Sequence, residues 1–217
     1  MPYATKVSSK MRYNNNVHAR IHAPDAAMRA FTPASLSEIR SHLECIEYKI
    51  TPLLSLPGLA ADRDIGAILV KDESQRSTLK SFKALGGAHA VIRVVLQEAS
   101  KRLGKTVPPS DIQSPEVQKV AASMTITCAT DGNHGRAVAA AAKVVGCRSV
   151  IFVHAGVSES RAGAIAALGA EVERVSGSYD DSVTYATEAA NQNQWIVVSD
   201  TSWPGHEEIP TWGMQGC

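Results

Sequence analysis

The chain has 217 residues, 44% of them hydrophobic and 20% charged, a balance that excludes a disordered or fibrous class. Lys and Arg number 22 against 21 for Asp and Glu, and a net charge of +1 excludes the broad electrostatic footprint of a nucleic-acid or anionic-membrane binder. Cys45, Cys128, Cys147 and Cys217 form no CxxC pair, and there is no run of about 18 apolar residues, so the sequence predicts reduced thiols, no bilayer span and a cytoplasmic protein.

Residues 1–34 hold Asn14-Asn15-Asn16, Pro24 and Pro33 without periodicity, and read as an extended N-terminal arm. Its Lys6, Lys10, Arg12 and Arg20 precede the first acidic residue, Asp25, which fits a flexible basic arm better than a transit peptide. From Ser35 the pattern turns helical: Ser35 or Ser37 is placed to cap, and Ile39, Leu43 and Ile46 recur at helical spacing up to Thr51-Pro52. A strand is predicted over Ile65–Val70, then the polar turn Lys71-Asp72-Glu73, then a long helix carrying Leu79, Phe82, Leu85, Ile92 and Leu96.

Pro108, Pro109 and Pro115 mark a connection, with a domain boundary expected between residues 104 and 120. Beyond it, strands are predicted at 124–129, 149–154, 171–175 and 195–199, with helices at 134–145, 159–168 and 181–192. Repeated βαβ units mean a parallel sheet and an α/β fold. Gly146 and Gly169 stand where helices should be left through a left-handed turn. The expected division is an arm at 1–34, part of one domain with a long helix at 35–120, a small βαβ domain at 121–205, and the start of a further element at 206–217.

Three places carry candidate chemistry. The segment Ala129-Thr130-Asp131-Gly132-Asn133-His134-Gly135-Arg136 lies where a buried strand turns into a helix, so backbone N–H groups converge at the carboxyl edge of the sheet. Read blandly, Asp131 and Asn133 are helix caps in a tight turn. In Ser81-Phe82-Lys83-Ala84-Leu85-Gly86-Gly87, two glycines inside a helical pattern cost about 1 kcal/mol each relative to alanine, which implies that something needs their missing side chains. Gly87 lies one turn after Lys83, so a flat group on Lys83 could approach the helix, and burial between Phe82 and Leu85 could hold the amine neutral for Schiff-base chemistry. Asp200 ends the strand Trp195–Ser199 and points to the same edge as Asp131; Asp180-Asp181 read as a cap. His134 has no nucleophile or metal-ligand spacing around it and reads as a residue beside the site.

Taken together, Lys71-Asp72-Glu73-Ser74, the Lys83 motif, the run Ala129–Arg136, Tyr179-Asp180-Asp181, Ser199-Asp200-Thr201-Ser202-Trp203 and Ile209-Pro210-Thr211-Trp212 resemble the fold-type II pyridoxal-phosphate enzymes, and more closely their diaminopropionate ammonia-lyase branch. The resemblance implies pyridoxal 5'-phosphate held by Lys83 as a Schiff base. It also implies Asn133 on the phenolic oxygen of the cofactor, with Gly132, His134 and Gly135 around it, and Asp200 near the substrate amine. Lys83 and Asp131 then become bases on opposite faces, which lets both enantiomers of 2,3-diaminopropionate lose ammonia and give pyruvate. A homodimer is the family's expected assembly, with a small amino acid as partner.

The same resemblance implies a longer chain, with the glycine-rich loop that grips the cofactor phosphate beyond Cys217, so the sequence reads as the N-terminal part of the fold. Rival expectations are a serine or threonine dehydratase, whose loop is usually the shorter Ser-x-Gly-Asn-His, and a truncated, non-catalytic member. A dinucleotide oxidoreductase would need a G-x-G-x-x-G fingerprint, and none follows a predicted strand.

Overall fold

The computed structural model describes residues 30–46 and 48–217. Most of the predicted N-terminal arm, with its basic residues, lies outside the described residues. Among the described residues the first named helix, α1 (Pro33–Leu43), starts two residues before the expected position. Its cap is Thr32 and not Ser35 or Ser37: the Thr32 side chain accepts from the Ser35 amide while Ser35 Oγ accepts from the Thr32 amide, a reciprocal box that satisfies two orphan donors.

Next comes a small antiparallel pair, β1 (Leu53–Ser55) and β2 (Leu69–Lys71), bracketing α2 (Pro57–Asp62). The predicted strand at 65–70 is shorter and displaced toward Lys71, because only Leu69–Lys71 has a partner strand to bond. After it, Asp72 accepts from the Ser74 amide, and Glu73 binds Arg76 at 2.8 Å and Thr51 at 2.6 Å. The polar turn is therefore a structural tie between residues 51 and 76.

The long helix α3 (Lys83–Leu103) begins at the lysine itself, so Leu79 lies before it. Within the expected connection, α4 (Pro115–Ala121) forms under a Ser114 cap, an element the proline spacing hid. Then β3 (Thr125–Ala129), α5 (Asn133–Val145), β4 (Arg148–His154), α6 (Glu159–Ala166), β5 (Glu171–Val175), α7 (Tyr179–Asn193), β6 (Ile196–Val197) and α8 (Glu208–Gly216) follow. The four strands make one parallel sheet in the order β5-β4-β3-β6.

The strand sequences explain that order. β3 and β4 are buried along nearly their whole length, as central strands must be, whereas Glu171-Val172-Glu173-Arg174-Val175 alternates and is largely exposed, as an edge strand is. On one face, Val91, Ile92 and Val95 of α3 meet Ile126, Val138 of α5, Ile151 and Trp212 of α8 in the main core. On the other, Val150 and Phe152 meet Ala186 of α7. Helices on both faces of a parallel sheet constitute the α/β architecture expected from the βαβ spacing. Gly146 (φ +82) and Gly169 (φ +94) take the left-handed conformation the sequence predicted for them.

Gly86 and Gly87 have a packing explanation that helical periodicity alone did not supply. A Cβ on Gly87 would stand 2.7 Å from that of Ala137 in α5, and one on Gly86 would meet the Gly213 carbonyl and stand 2.6 Å from Cys217 Sγ. The missing side chains let α3 lie between α5 and α8 at backbone contact distance, so the two glycines are taken up by helices and not by a flat group alone.

Candidate active site

Between β3 and α5, Thr130-Asp131-Gly132 form the turn at the carboxyl edge of the sheet. Gly132 has φ +150, open only to glycine, and gives α5 no side-chain cap. Thr130 Oγ1 instead accepts from the Gly132 and Gly135 amides, both at 3.0 Å, leaving the Asn133 and His134 amides of the first α5 turn for a ligand at the edge. Gly135 lies behind this turn: a Cβ there would run into Thr130 and stand 2.9 Å from the Ile151 side chain. Its role is to let α5 start against the sheet.

Lys83 and Asp200, 117 positions apart, meet here, with Lys83 Nζ donating to Asp200 Oδ2 at 2.8 Å. The expected apolar flank is incomplete, since Phe82 is 47% exposed and Leu85 packs away against Ile39 and Leu43. A carboxylate rather than an apolar wall thus receives the amine. His134 is buried in the first turn of α5; its Nε2 donates to the Val198 carbonyl at 2.7 Å, and Nδ1 stands 3.9 Å from Asp200. Burial lowers the His134 pKa against the opposing pull of Asp200, so the ring is neutral near pH 7. Burial by itself would raise the Asp200 carboxyl, but His134 and Lys83 outweigh it and hold the group below the usual carboxylate range.

Lys83, Asp131, Gly132, Asn133, His134 and Asp200 line one cavity of about 720 Å³, and a second of about 290 Å³ continues from Lys83, His134 and Asp200 past Gly87 to α8. Six of the seven candidate residues therefore converge, and Gly135 supports them from behind. Asp131 is 66% exposed on its side chain and is not paired with Lys83; its Oδ1 accepts from His154 Nε2 at 2.9 Å.

His154, Arg161 and Tyr179 are site residues that periodicity did not single out. Arg161 and Tyr179 line the large cavity; burial first, then the charge of Asp200, push the Tyr179 phenol up. Tyr179 stands in one of the motifs that carry the family resemblance, and the residue ending β4 had one available signal, its position at the carboxyl end of a parallel strand, where such sheets bind ligands.

The pyridoxal-phosphate dependent enzyme family matches residues 46–213. The chain belongs to this family. Among its relatives, diaminopropionate ammonia-lyase of Salmonella typhimurium is 34% identical over 207 residues, 95% of this chain and 51% of that protein. The Escherichia coli diaminopropionate ammonia-lyase is 40% identical over 175 residues, 81% of this chain and 43% of that protein. A crystal structure of the Escherichia coli enzyme in complex with an aminoacrylate-PLP azomethine reaction intermediate superposes with a TM-score of 0.74 at 38% identity, covering 86% of this chain and 46% of that one. The chain spans about half the length of the curated relatives it matches.

The residues present fit the carbonyl end of pyridoxal phosphate. A primary amine stands at the junction of two cavities, and uncapped amides and Asn133 supply polar donors beside it. The adjacent glycines Gly86 and Gly87 are engaged by α5 and α8 and form no phosphate loop.

Proposed function

We propose that this chain carries the lysine side of a pyridoxal-phosphate lyase site that eliminates the β-amino group of 2,3-diaminopropionate as ammonia, the released aminoacrylate then being hydrolysed by water to pyruvate and a second ammonia. The observation that carries the reading is the meeting of Lys83 and Asp200 at 2.8 Å beside the α5 N-terminus, in a family defined by this cofactor. When bound, the cofactor supplies an electron sink for a carbanion at the substrate Cα.

The chain's own residues supply the rest. Lys83 offers the amine that holds the cofactor, and Asp200 orients that amine while it is free. Because Asp200 is held anionic, it also suits the ammonium group of an amino acid once Lys83 has been displaced. Asn133, which lines the cavity, would hold an oxygen of the bound cofactor, and the α5 amides favour negative charge there. Asp131, exposed in the large cavity, takes the Cα proton from one face and Lys83 from the other, which admits both substrate enantiomers. Asp131→Asn should lower turnover of one enantiomer by about 10²- to 10⁴-fold while cofactor absorbance persists. Steady-state turnover of each 2,3-diaminopropionate enantiomer, with serine as the competing substrate, tests this; preference for serine would transfer the reading to a dehydratase.

A further inference from the structure

On that reading, Asp131 is a base, yet its side chain is 66% exposed against 24% for Asp200, and an exposed carboxylate samples several rotamers unless something holds it. The structure supplies a holder from a different strand. His154, the last residue of β4, donates from Nε2 to Asp131 Oδ1 at 2.9 Å. Its other ring nitrogen, Nδ1, accepts from the Gly156 amide at 3.1 Å. An amide has only a proton to offer, so Nδ1 is the bare nitrogen of a neutral ring and Nε2 bears the hydrogen that Asp131 receives.

The turn that carries the Gly156 amide is itself tied down. Arg174 of β5 donates from one guanidinium nitrogen to the carbonyls of His154, Ala155 and Val157, at 3.3, 3.4 and 2.7 Å, and from the other to Glu159 at 2.6 Å. Gly156 has a reason to lack a side chain, since a Cβ there would stand 2.8 Å from His154 Cε1 and 3.1 Å from Nδ1. The seat for the imidazole is therefore cut into the backbone. Among the described residues Asp131 Oδ2 has no partner, so the tie at Oδ1 leaves the other oxygen to face the cavity.

We propose that His154 is a positioning residue for Asp131, seated by Gly156 and the Arg174-held turn, and that it fixes the carboxylate used on one face of the substrate. The inference rests on the assignment of Asp131 as base. The role is orientation: the ring keeps its Nε2 hydrogen and no proton passes through it. Misplacing a catalytic group by an ångström costs on the order of tenfold to a hundredfold in rate, so the loss should be large on the Asp131 face and small on the Lys83 face.

The test uses the full chain loaded with pyridoxal phosphate and reads the ratio of turnover on the two enantiomers of 2,3-diaminopropionate. His154→Ala and Gly156→Ala should shift that ratio by about tenfold or more in the same direction as Asp131→Asn. His154→Gln, which keeps an N–H donor, should recover most of it. Damage to the fold alone lowers both enantiomers together and leaves the ratio in place.

A second readout needs no turnover. In ¹⁵N spectra of the histidine side chains, His154 should show a protonated Nε2 and an accepting Nδ1, and Asp131→Ala should speed exchange of the Nε2 hydrogen at least tenfold. An unchanged His154 signal in Asp131→Ala, or a wild-type ratio in His154→Ala where Asp131→Asn has moved it, overturns the proposal. A ratio that Asp131→Asn itself leaves unmoved refutes Asp131 as the base; the nitrogen spectra then still decide whether the pair exists.

Discussion

At the scale of single residues, burial and charge divide the titratable groups into those that react and those that pack. Burial pushes the Cys147 thiol up to about 12 and the fully buried Cys128 well above its ordinary range, so neither carries appreciable thiolate near pH 8. Alkylation of the folded chain at that pH should leave both unmodified, with labelling only after denaturation, as mass mapping will show. Asp200 opposes the burial that lowers the pKa of His134. Asp200→Asn should therefore move the His134 titration further down, measurable by NMR. The sequence puts Asp131 and Asp200 at one edge because aspartates that follow strands are visible in a linear pattern, whereas Lys83 reads only as part of a long helix and reaches that edge through the fold. The pattern could not show that Asp200 faces Lys83 while Asp131 faces His154, since those pairings join residues far apart in the chain.

At the scale of elements, the βαβ half was legible because strong periodicities and glycine stops repeat there, and β3, β4 and β5 begin and end within a residue of the expected positions. The N-terminal half was less so. β1 exists only through its pairing with β2, and α4 sits among prolines that read as a connection but occupy the first helical positions. The cost of the glycine pair of α3 is visible in the sequence, but the helices that pack against it, α5 and α8, are brought there only by the fold. Gly87→Ala would press a methyl into Ala137 and, as an overpacked contact, should cost about 1–3 kcal/mol, seen as a fall of several degrees in melting temperature. Gly58→Ala, at the first turn of α2 where nothing lies nearby, should not share that loss and serves as the control.

At the scale of the whole molecule, stability should fall on mild acidification, with a source remote from the site. His42 of α1 and His89 of α3 lie buried between the two helices with their Nδ1 atoms 2.9 Å apart, so one must donate and the other accept. Burial, then His42, lowers His89 from 6.5 to about 4, and burial also lowers His42 against the pull of Glu38. Both rings are neutral when folded and take protons on unfolding, so the unfolded state binds more protons between pH 6.5 and 4. Their contribution is fully present above pH 6.5 and is lost as pH falls through that window, up to about 3 kcal/mol for His89. Denaturant midpoints between pH 7 and 4.5 measure the slope, and His89→Leu should flatten it.

The proposed function turns on Lys83. Purified chain mixed with pyridoxal phosphate, followed by borohydride reduction and peptide mapping, measures whether the amine facing Asp200 is the one that binds. The expected result is a visible absorbance band that reduction abolishes, with the reduced adduct on Lys83 and neither band nor adduct in Lys83→Ala. An adduct spread over surface lysines, or none on Lys83, would contradict it.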